Sequence, residues 1–299
     1  MGATTAYRTR PVKRRRRTNA ELADIDAAIF RAVEEDYPVS VRGVFYRVES
    51  AGAVEKTEAG YSCVQRQVLK LRRSGDLPYN RITDGTRLIR KPDSWNALDE
   101  MLADASVSYR RALWHKQEAE VLVFTEKDAI SGILFPVTSE WDVPLGVLRG
   151  YSSETFIYNV AEEIIAANRR GKYVFVYQFG DHDPWGVELW EKFADRLDEF
   201  VRAKGCRATY ERLAVTEAQI EDYNLPTRPT KKHKKKFEGE SVEVDAIPAK
   251  TLRTLAEQAI TQHINEEALR LTELAESSER KILARLAGGF RFTDDDGER

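Results

Sequence analysis

Tyr173-Val-Phe-Val-Tyr-Gln-Phe179 runs directly into Gly180-Asp-His-Asp-Pro-Trp-Gly186. The first seven residues are apolar, β-branched or aromatic almost throughout and end at a glycine. That is the pattern of a strand buried on both faces of a parallel sheet. Pro184 suits the first position of a helix that follows. Asp181 and Asp183 lie between strand and helix, two residues apart, so an extended backbone would direct both side chains to one side. Open α/β sheets bind ligands at the carboxyl ends of their strands. Paired carboxylate oxygens at that place suit a hard cation such as Mg²⁺. His182, between them, is expected to face the other way and is given no metal role.

Working outward, strand and helix patterns alternate over residues 119–225. Val121-Leu-Val-Phe124 reads as a buried strand that delivers Thr125-Glu126-Lys127 to its end. Val143 to Leu148 reads as a second strand, followed by Arg149-Gly-Tyr-Ser-Ser-Glu154 and a helix to about Arg169. After the opening strand come a helix over 184–204 and a fourth strand near Thr209 to Val215. Such alternation implies a parallel sheet flanked by helices.

Upstream, the residues after a basic arm (1–17) form an 18–118 unit. Thr18-Asn-Ala-Glu21 has capping-box spacing, and Leu22, Ile25, Ile29 and Val33 form the stripe of a first helix. Ser40 caps a second, over 41–48, which Gly52 breaks. A third runs from Tyr61 to Arg73 and stops at Gly75, with Gln65, Arg66, Lys70, Arg72 and Arg73 around its polar side. Leu77 to Ile89, with Asp84-Gly85 as its turn, has the pattern of a β-hairpin. Three helices and a hairpin give the order of a winged helix-turn-helix, and the basic third helix would then read DNA; an ordinary solvated helix has the same composition. Residues 94–118 read as a helical link. Downstream, 226–299 comprises a basic loop (Arg228 to Lys236), a short strand Val242-Glu-Val-Asp245, and helices over 250–264 and 265–286. The last has few large apolar residues and is expected to project to a partner.

Across 299 residues the formal charge is only −2, with 32% charged and 42% hydrophobic residues. The balance hides an uneven distribution: seven of the ten residues from Arg8 to Arg17 are basic, while Asp294 to Asp296 is acidic. Basic segments beside a near-neutral body fit a polyanion partner, although a solvated tail has the same composition. Two cysteines exclude a disulfide framework or a zinc site and fit a reducing, cytoplasmic setting. No stretch reaches the length of a membrane helix, and no signal peptide is expected.

Neither a Walker nor a Rossmann glycine loop is present, nor a serine elbow or HExxH. The chemistry therefore falls to carboxylates. If the strands ending at Glu126 and Asp181 are neighbours, Glu126, Asp181 and Asp183 converge. Such a cluster can hold Mg²⁺ against phosphate charge, and Glu126 can instead move a proton as general acid or base.

Thr125-Glu126-Lys127 followed by Gly180-Asp-His-Asp-Pro-Trp-Gly186 resembles the Toprim domain of topoisomerases, primases and related nucleases. Val41-Arg42-Gly-Val-Phe45-Tyr46 resembles the Arg-Asp-Ile-Tyr-Tyr motif of the topoisomerase VI A subunit and of the meiotic double-strand-break transesterase, in which a winged-helix domain precedes Toprim. The likeness covers residues 20–225. It departs from the motif at Gly43, in place of Asp, and at Phe45, in place of the first Tyr. The resemblance implies Tyr46 as nucleophile with Arg42 assisting and Glu126, Asp181 and Asp183 on Mg²⁺. It further implies double-stranded DNA as substrate, a homodimer in which tyrosine and metal come from different protomers, and an ATPase B-type subunit for full strand passage. Arg66, Lys70, Arg72, Arg73 and Arg149 are the candidate DNA contacts. A phenol, with a pKa near 10, becomes a useful nucleophile when a cation and a metal stabilise its phenolate and the developing phosphorane charge. Packing of Phe45 and Tyr46 in a helical core is the plain alternative. A hydrolytic Toprim nuclease using water, or a non-catalytic DNA-binding subunit, would share most of these features.

Overall fold

A computed structural model describes residues 17–82, 92–230 and 240–290 of the chain. The basic arm, most of the 228–236 loop, the acidic terminus and residues 83–89 of the expected hairpin lie outside the described residues.

α1 (Asn19–Glu35) opens with the expected capping box: Thr18 Oγ1 accepts from the Glu21 amide at 3.2 Å, and the Thr18 amide donates to Glu21 at 2.7 Å. α2 (Val41–Ser50) is capped by Ser40. α3 (Glu58–Ser74) begins earlier than Tyr61, because Thr57 caps it, and ends at left-handed Gly75. The three helices pack on one another through Ile25, Ile29, Val44, Val48, Val64 and Val68, all buried. The expected hairpin is not a strand in its described part. Tyr79–Arg81 form a 3-10 turn, and Ile82 makes a single parallel bridge to Val39. Leu77 and Ile82 both bury their side chains inward, which the period of a strand would not allow over this spacing.

α4 (Leu98–Ser108) and a 3-10 turn, Leu113–Lys116, replace the continuous link expected over 94–118. The α/β part then follows as β1 (Ala119–Thr125), α5 (Asp128–Glu140), β2 (Leu145–Val147), α6 (Glu154–Arg169), β3 (Tyr173–Phe179), α7 (Pro184–Arg202), β4 (Thr209–Ala214) and a short α8 (Glu217–Asp222). α9 (Ala249–Thr261) and α10 (Glu266–Phe290) complete the chain.

The four strands form one parallel sheet in the order β2-β1-β3-β4. Alternation along each strand assigns its two faces. Leu122, Phe124, Val174 and Val176 pack with Ile157, Ile164, Phe193 and Leu197 of α6 and α7. Val121, Val123, Tyr177 and Phe179 face the other way and join Ile133, Leu134, Leu252 and Ile260 of α5 and α9, in a core continuous with α1–α3. Both faces of the sheet are thus covered, which accounts for the nearly continuous apolar run of β3, broken only by Gln178.

α10 does not project alone. It lies along α4, tied by Tyr109 Oη to Glu279 at 2.9 Å and by Arg280 Nε to the Tyr109 carbonyl at 2.8 Å. The expected strand 242–245 is also corrected. Val242 makes one antiparallel bridge to His182, and Val244–Ala246 then turn as a 3-10 helix. Among the described residues no helix is long and apolar enough to cross a membrane.

Candidate functional site

The register of the two central strands sets the site. Thr125 pairs with Phe179, and the ladder extends one step further, with the Glu126 amide donating to the Phe179 carbonyl at 3.0 Å. Glu126 therefore emerges directly beside Gly180-Asp181. Its Oε2 accepts from the Asp181 amide at 3.0 Å. Two glycines make room for that carboxylate. A Cβ on Gly180 would lie 3.0 Å from Glu126 Oε2 and 2.1 Å from Gln178 Nε2. A Cβ on Gly186 would lie 2.9 Å from Glu126 Oε2 and 2.5 Å from the Asp181 carbonyl oxygen. At Gly186 the backbone contact demands glycine for close approach rather than for an unusual φ, whereas at Gly180 the close atoms belong to side chains.

The two aspartates have separate tasks. Asp181 is buried. Its Oδ1 accepts from the Val244 amide at 3.0 Å, and its Oδ2 lies 2.7 Å from Lys127 Nζ. Asp183 caps α7, with Oδ1 accepting from the amides of Trp185 and Gly186 at 3.0 and 2.8 Å. Its Oδ2 lies 3.4 Å from Arg228. His182 exchanges backbone hydrogen bonds with Val242. Burial lowers the His182 pKa, and the nearby Arg212 charge adds to this.

Charge around this point is dense. Burial and the neighbouring Asp181 charge hold the Glu126 carboxyl above its ordinary range. Asp181 is also raised, by burial that its pairing with Lys127 only partly offsets. Lys127 contacts Asp181, Asp245 at 3.5 Å and Glu243 at 3.9 Å. Burial alone would weaken its charge, but the three carboxylates prevail and its pKa is raised. Behind the loop, Arg212 donates to the carbonyls of Gly180 at 3.0 Å, Gly186 at 3.3 Å and Asp181.

The segment 241–247 straps α2 to these strand ends. Asp245 Oδ1 accepts from Ser40 Oγ at 2.7 Å, and Arg47 donates to the Ala246 carbonyl. Glu243 reaches Arg228 at 2.7 Å and Arg42 at 3.3 Å. Sequence reasoning quoted Lys127 without giving it a role and missed Arg212, Glu243 and Asp245 as site residues. The signal for the last two is the acidic alternation of Val242-Glu-Val-Asp245, which a short strand shares.

Tyr46 and Arg42 share α2, and the Arg42 guanidinium stacks 4.4 Å from the Tyr61 ring centroid. Tyr46 itself is 3% exposed, with its ring 5.3 Å from that of Phe45. Burial, then the Glu243 charge, push its hydroxyl well above the ordinary phenol value, and Arg42 and Arg228 offset this only in part.

On α3, Arg66, Lys70 and Arg73 are exposed. Arg72 is half-buried and bonded within the chain. It donates to the carbonyls of Tyr79 at 2.9 Å and Ile82 at 3.0 Å, fastening the turn after the helix. Arg149 likewise spends its guanidinium on Asp128, at 2.6 and 3.0 Å.

For a divalent cation, the donor chemistry fits: Glu126, Asp181 and Asp183 supply hard oxygens at adjoining strand ends, two of them at a cost from burial that a cation would relieve. Among the described residues, however, no group of three ligand-type side chains is placed to hold a metal ion. Lys127 occupies the position beside Asp181, so Asp181 can join a cation only if that ammonium yields. No protein-family model matches the chain, and no curated protein matches it.

Proposed function

We propose that this chain is a Mg²⁺-dependent DNA-cleaving protein of the topoisomerase VI A-subunit type, with α1–α3 acting as a winged-helix domain and the sheet as a Toprim domain. The observation that carries the reading is the Thr125–Phe179 register, which sets Glu126 against Asp181 and Asp183 at the carboxyl edge of a parallel sheet. The basic face of α3, through Arg66, Lys70 and Arg73, would hold the phosphates of double-stranded DNA. Bound Mg²⁺ would supply charge neutralisation at the scissile phosphate. Tyr46 would bond to phosphorus and lose its proton to solvent, as the bond from phosphorus to the 3′ oxygen breaks. Glu126, with Asp181 and Asp183, would hold that ion, and the departing 3′ oxygen would take its proton from water, leaving a 5′-phosphotyrosyl link. Arg42 would stand beside the developing charge. A homodimer would cut both strands, and an ATPase B-type partner would be required for strand passage.

The burial of Tyr46 and the upward shift of its hydroxyl favour a second reading. In it, water is the nucleophile, the same carboxylates act, and Tyr46 only packs. Incubation with supercoiled plasmid and Mg²⁺, then denaturation, separates the two. Covalent cleavage leaves protein on the DNA ends and is abolished by Tyr46→Phe. Hydrolysis leaves free ends, survives Tyr46→Phe and is lost in Asp181→Ala. Salt-sensitive DNA binding without any cutting would reject both and leave a non-catalytic DNA-binding subunit.

A further inference from the structure

Gln178 is the polar residue that interrupts β3. Its lateral neighbours in the sheet are Phe124 on β1 and Arg212 on β4, and it is fully buried. Neither Nε2 nor Oε1 of its amide has a hydrogen-bond partner, and among the described residues no other side chain leaves two buried polar atoms unmatched. An amide held in this way carries the penalty of leaving water without recompense. A methionine would fill the same space without that penalty.

Residues 178 and 180 lie on the same face of the strand, so the amide reaches forward over Gly180. A Cβ on Gly180 would stand 2.1 Å from Gln178 Nε2 and 3.0 Å from Glu126 Oε2. Amide and carboxylate therefore face one small space, which the absent side chain of Gly180 leaves open. Of the neighbours of Gln178, Phe124 offers no polar atom, and Arg212 is committed to the carbonyls of Gly180, Asp181, Gly186 and Val215. Glu126 Oε2 has one donor, the Asp181 amide, and a carboxylate oxygen accepts two. Only the NH₂ end of an amide suits that position, because its oxygen would meet another acceptor.

We propose that Gln178 is a positioning residue for Glu126, its amide being the second donor to Oε2, which pins that oxygen inward and leaves Oε1 to face a cation. Both side chains end in a torsion with a broad minimum, so turning the end groups closes the gap without moving the strands. Carboxylates that ligate metals are themselves hydrogen-bonded, and losing such a bond weakens metal affinity. The inference rests on the reading of Glu126, Asp181 and Asp183 as cation ligands. It is indifferent to whether Tyr46 or water attacks, and to which protomer supplies the tyrosine.

The test compares the full-length protein with Gln178→Met, which keeps the length of the side chain without the amide, and Gln178→Asn, whose amide falls one carbon short. Mg²⁺ affinity by calorimetry should fall about 10-fold in both. In the metal-free proteins, exchange of the Asp181 amide hydrogen, followed by NMR, should quicken several-fold, because its acceptor on Glu126 is less firmly held. Exchange of the mid-strand Tyr177 amide should not change. The urea midpoint of Gln178→Met should be no lower than that of the wild type, since an unmatched amide is removed. Unchanged exchange at Asp181 overturns the proposal, as does exchange that quickens equally at Tyr177. Unchanged Mg²⁺ affinity in the variants of a wild type that binds the ion overturns it too. If the wild type does not bind Mg²⁺ but Asp181 exchange still quickens in the variants, the metal reading fails and the hold of Gln178 on Glu126 stands. Should Gln178→Met fail to fold, the same measurements on Gln178→Asn decide.

Discussion

Replacing Gly186 by alanine should destabilise the protein, although at an ordinary helical position the same exchange stabilises. Gly186 is the third residue of α7, where alanine is favoured over glycine by about 1 kcal/mol. Its new Cβ would stand 2.5 Å from the Asp181 carbonyl oxygen and 2.9 Å from Glu126 Oε2. To restore ordinary contact at 3.4 Å, that oxygen would have to retreat by about 0.9 Å. It cannot do so cheaply, because Arg212 donates to the same oxygen and the Asp181 amide is bonded to Glu126. Overpacking of this kind costs about 1–3 kcal/mol. Contact with backbone rather than a flexible side-chain end places Gly186 toward the upper end, for a net loss of about 2 kcal/mol. Gly288, in α10, is the control. A Cβ there meets nothing within 4 Å, so Gly288→Ala should gain about 0.5–1 kcal/mol. Urea denaturation of the three proteins reads both values. A Gly186→Ala protein as stable as the wild type, with Gly288→Ala behaving as expected, would refute the claim that close approach of the Asp181 carbonyl dictates glycine here.

Lys127→Met should destabilise by about 3–5 kcal/mol, since it leaves buried Asp181 without its cation. Adding Asp181→Asn should restore much of that loss, and a double-mutant cycle by urea denaturation checks it. Arg66→Ala and Lys70→Ala should each weaken DNA binding uniformly and reduce the salt slope by about 1 with no change in thermal midpoint. Arg72→Ala should instead cost about 1–2 kcal/mol of stability, through its lost bonds to Tyr79 and Ile82. His263 stacks on Phe175 at 3.8 Å and meets Tyr177 Oη at 2.7 Å, and burial lowers its pKa. Below a pH of about 6.5 the unfolded chain takes up a proton that folded His263 resists, so stability falls with pH until the folded pKa is passed. His263→Gln should remove that part of the acid loss, seen as a smaller difference in denaturation midpoint between pH 7 and pH 5.

The elements that were legible in the sequence are those whose signal is local. A capping box at Thr18, a serine cap at Ser40 and a glycine stop at Gly75 depend on residues within a turn of one another. The β3 run was legible because burial on both faces removes any need for polar residues. The failures have the opposite origin. Residues 77–82, expected as a hairpin arm from the Asp84-Gly85 turn signal, form a turn, because Arg72 reaches over to take the carbonyls of Tyr79 and Ile82. α10 looked too poor in apolar residues to pack, yet polar contacts through Glu276, Glu279 and Arg280 fasten it to the α4 region.

The same division runs through the site. Glu126 and Asp181 lie 55 positions apart, yet both were legible, because a strand end is a fixed address in a parallel sheet and the register needs no side chain to set it. Glu243 and Asp245 have no such address. They belong to a segment with two isolated bridges and one turn, and they reach the site because Ser241 pairs with Arg228, Val242 pairs with His182 and Val244 satisfies Asp181. Lys127 was visible in the motif, but its meaning depended on them: opposite Asp181 alone it would be a simple ion pair, whereas opposite Asp181, Glu243 and Asp245 it becomes the hub joining strand ends to strap. A cation entering at Glu126 and Asp183 must therefore contend with a built-in ammonium already neutralising Asp181. Lys127→Met should accordingly change Mg²⁺ affinity, measured by calorimetry on the folded variant, toward tighter binding if the ammonium competes and toward weaker binding if it only orders the carboxylates. Unaltered affinity would remove Asp181 from the proposed metal ligands.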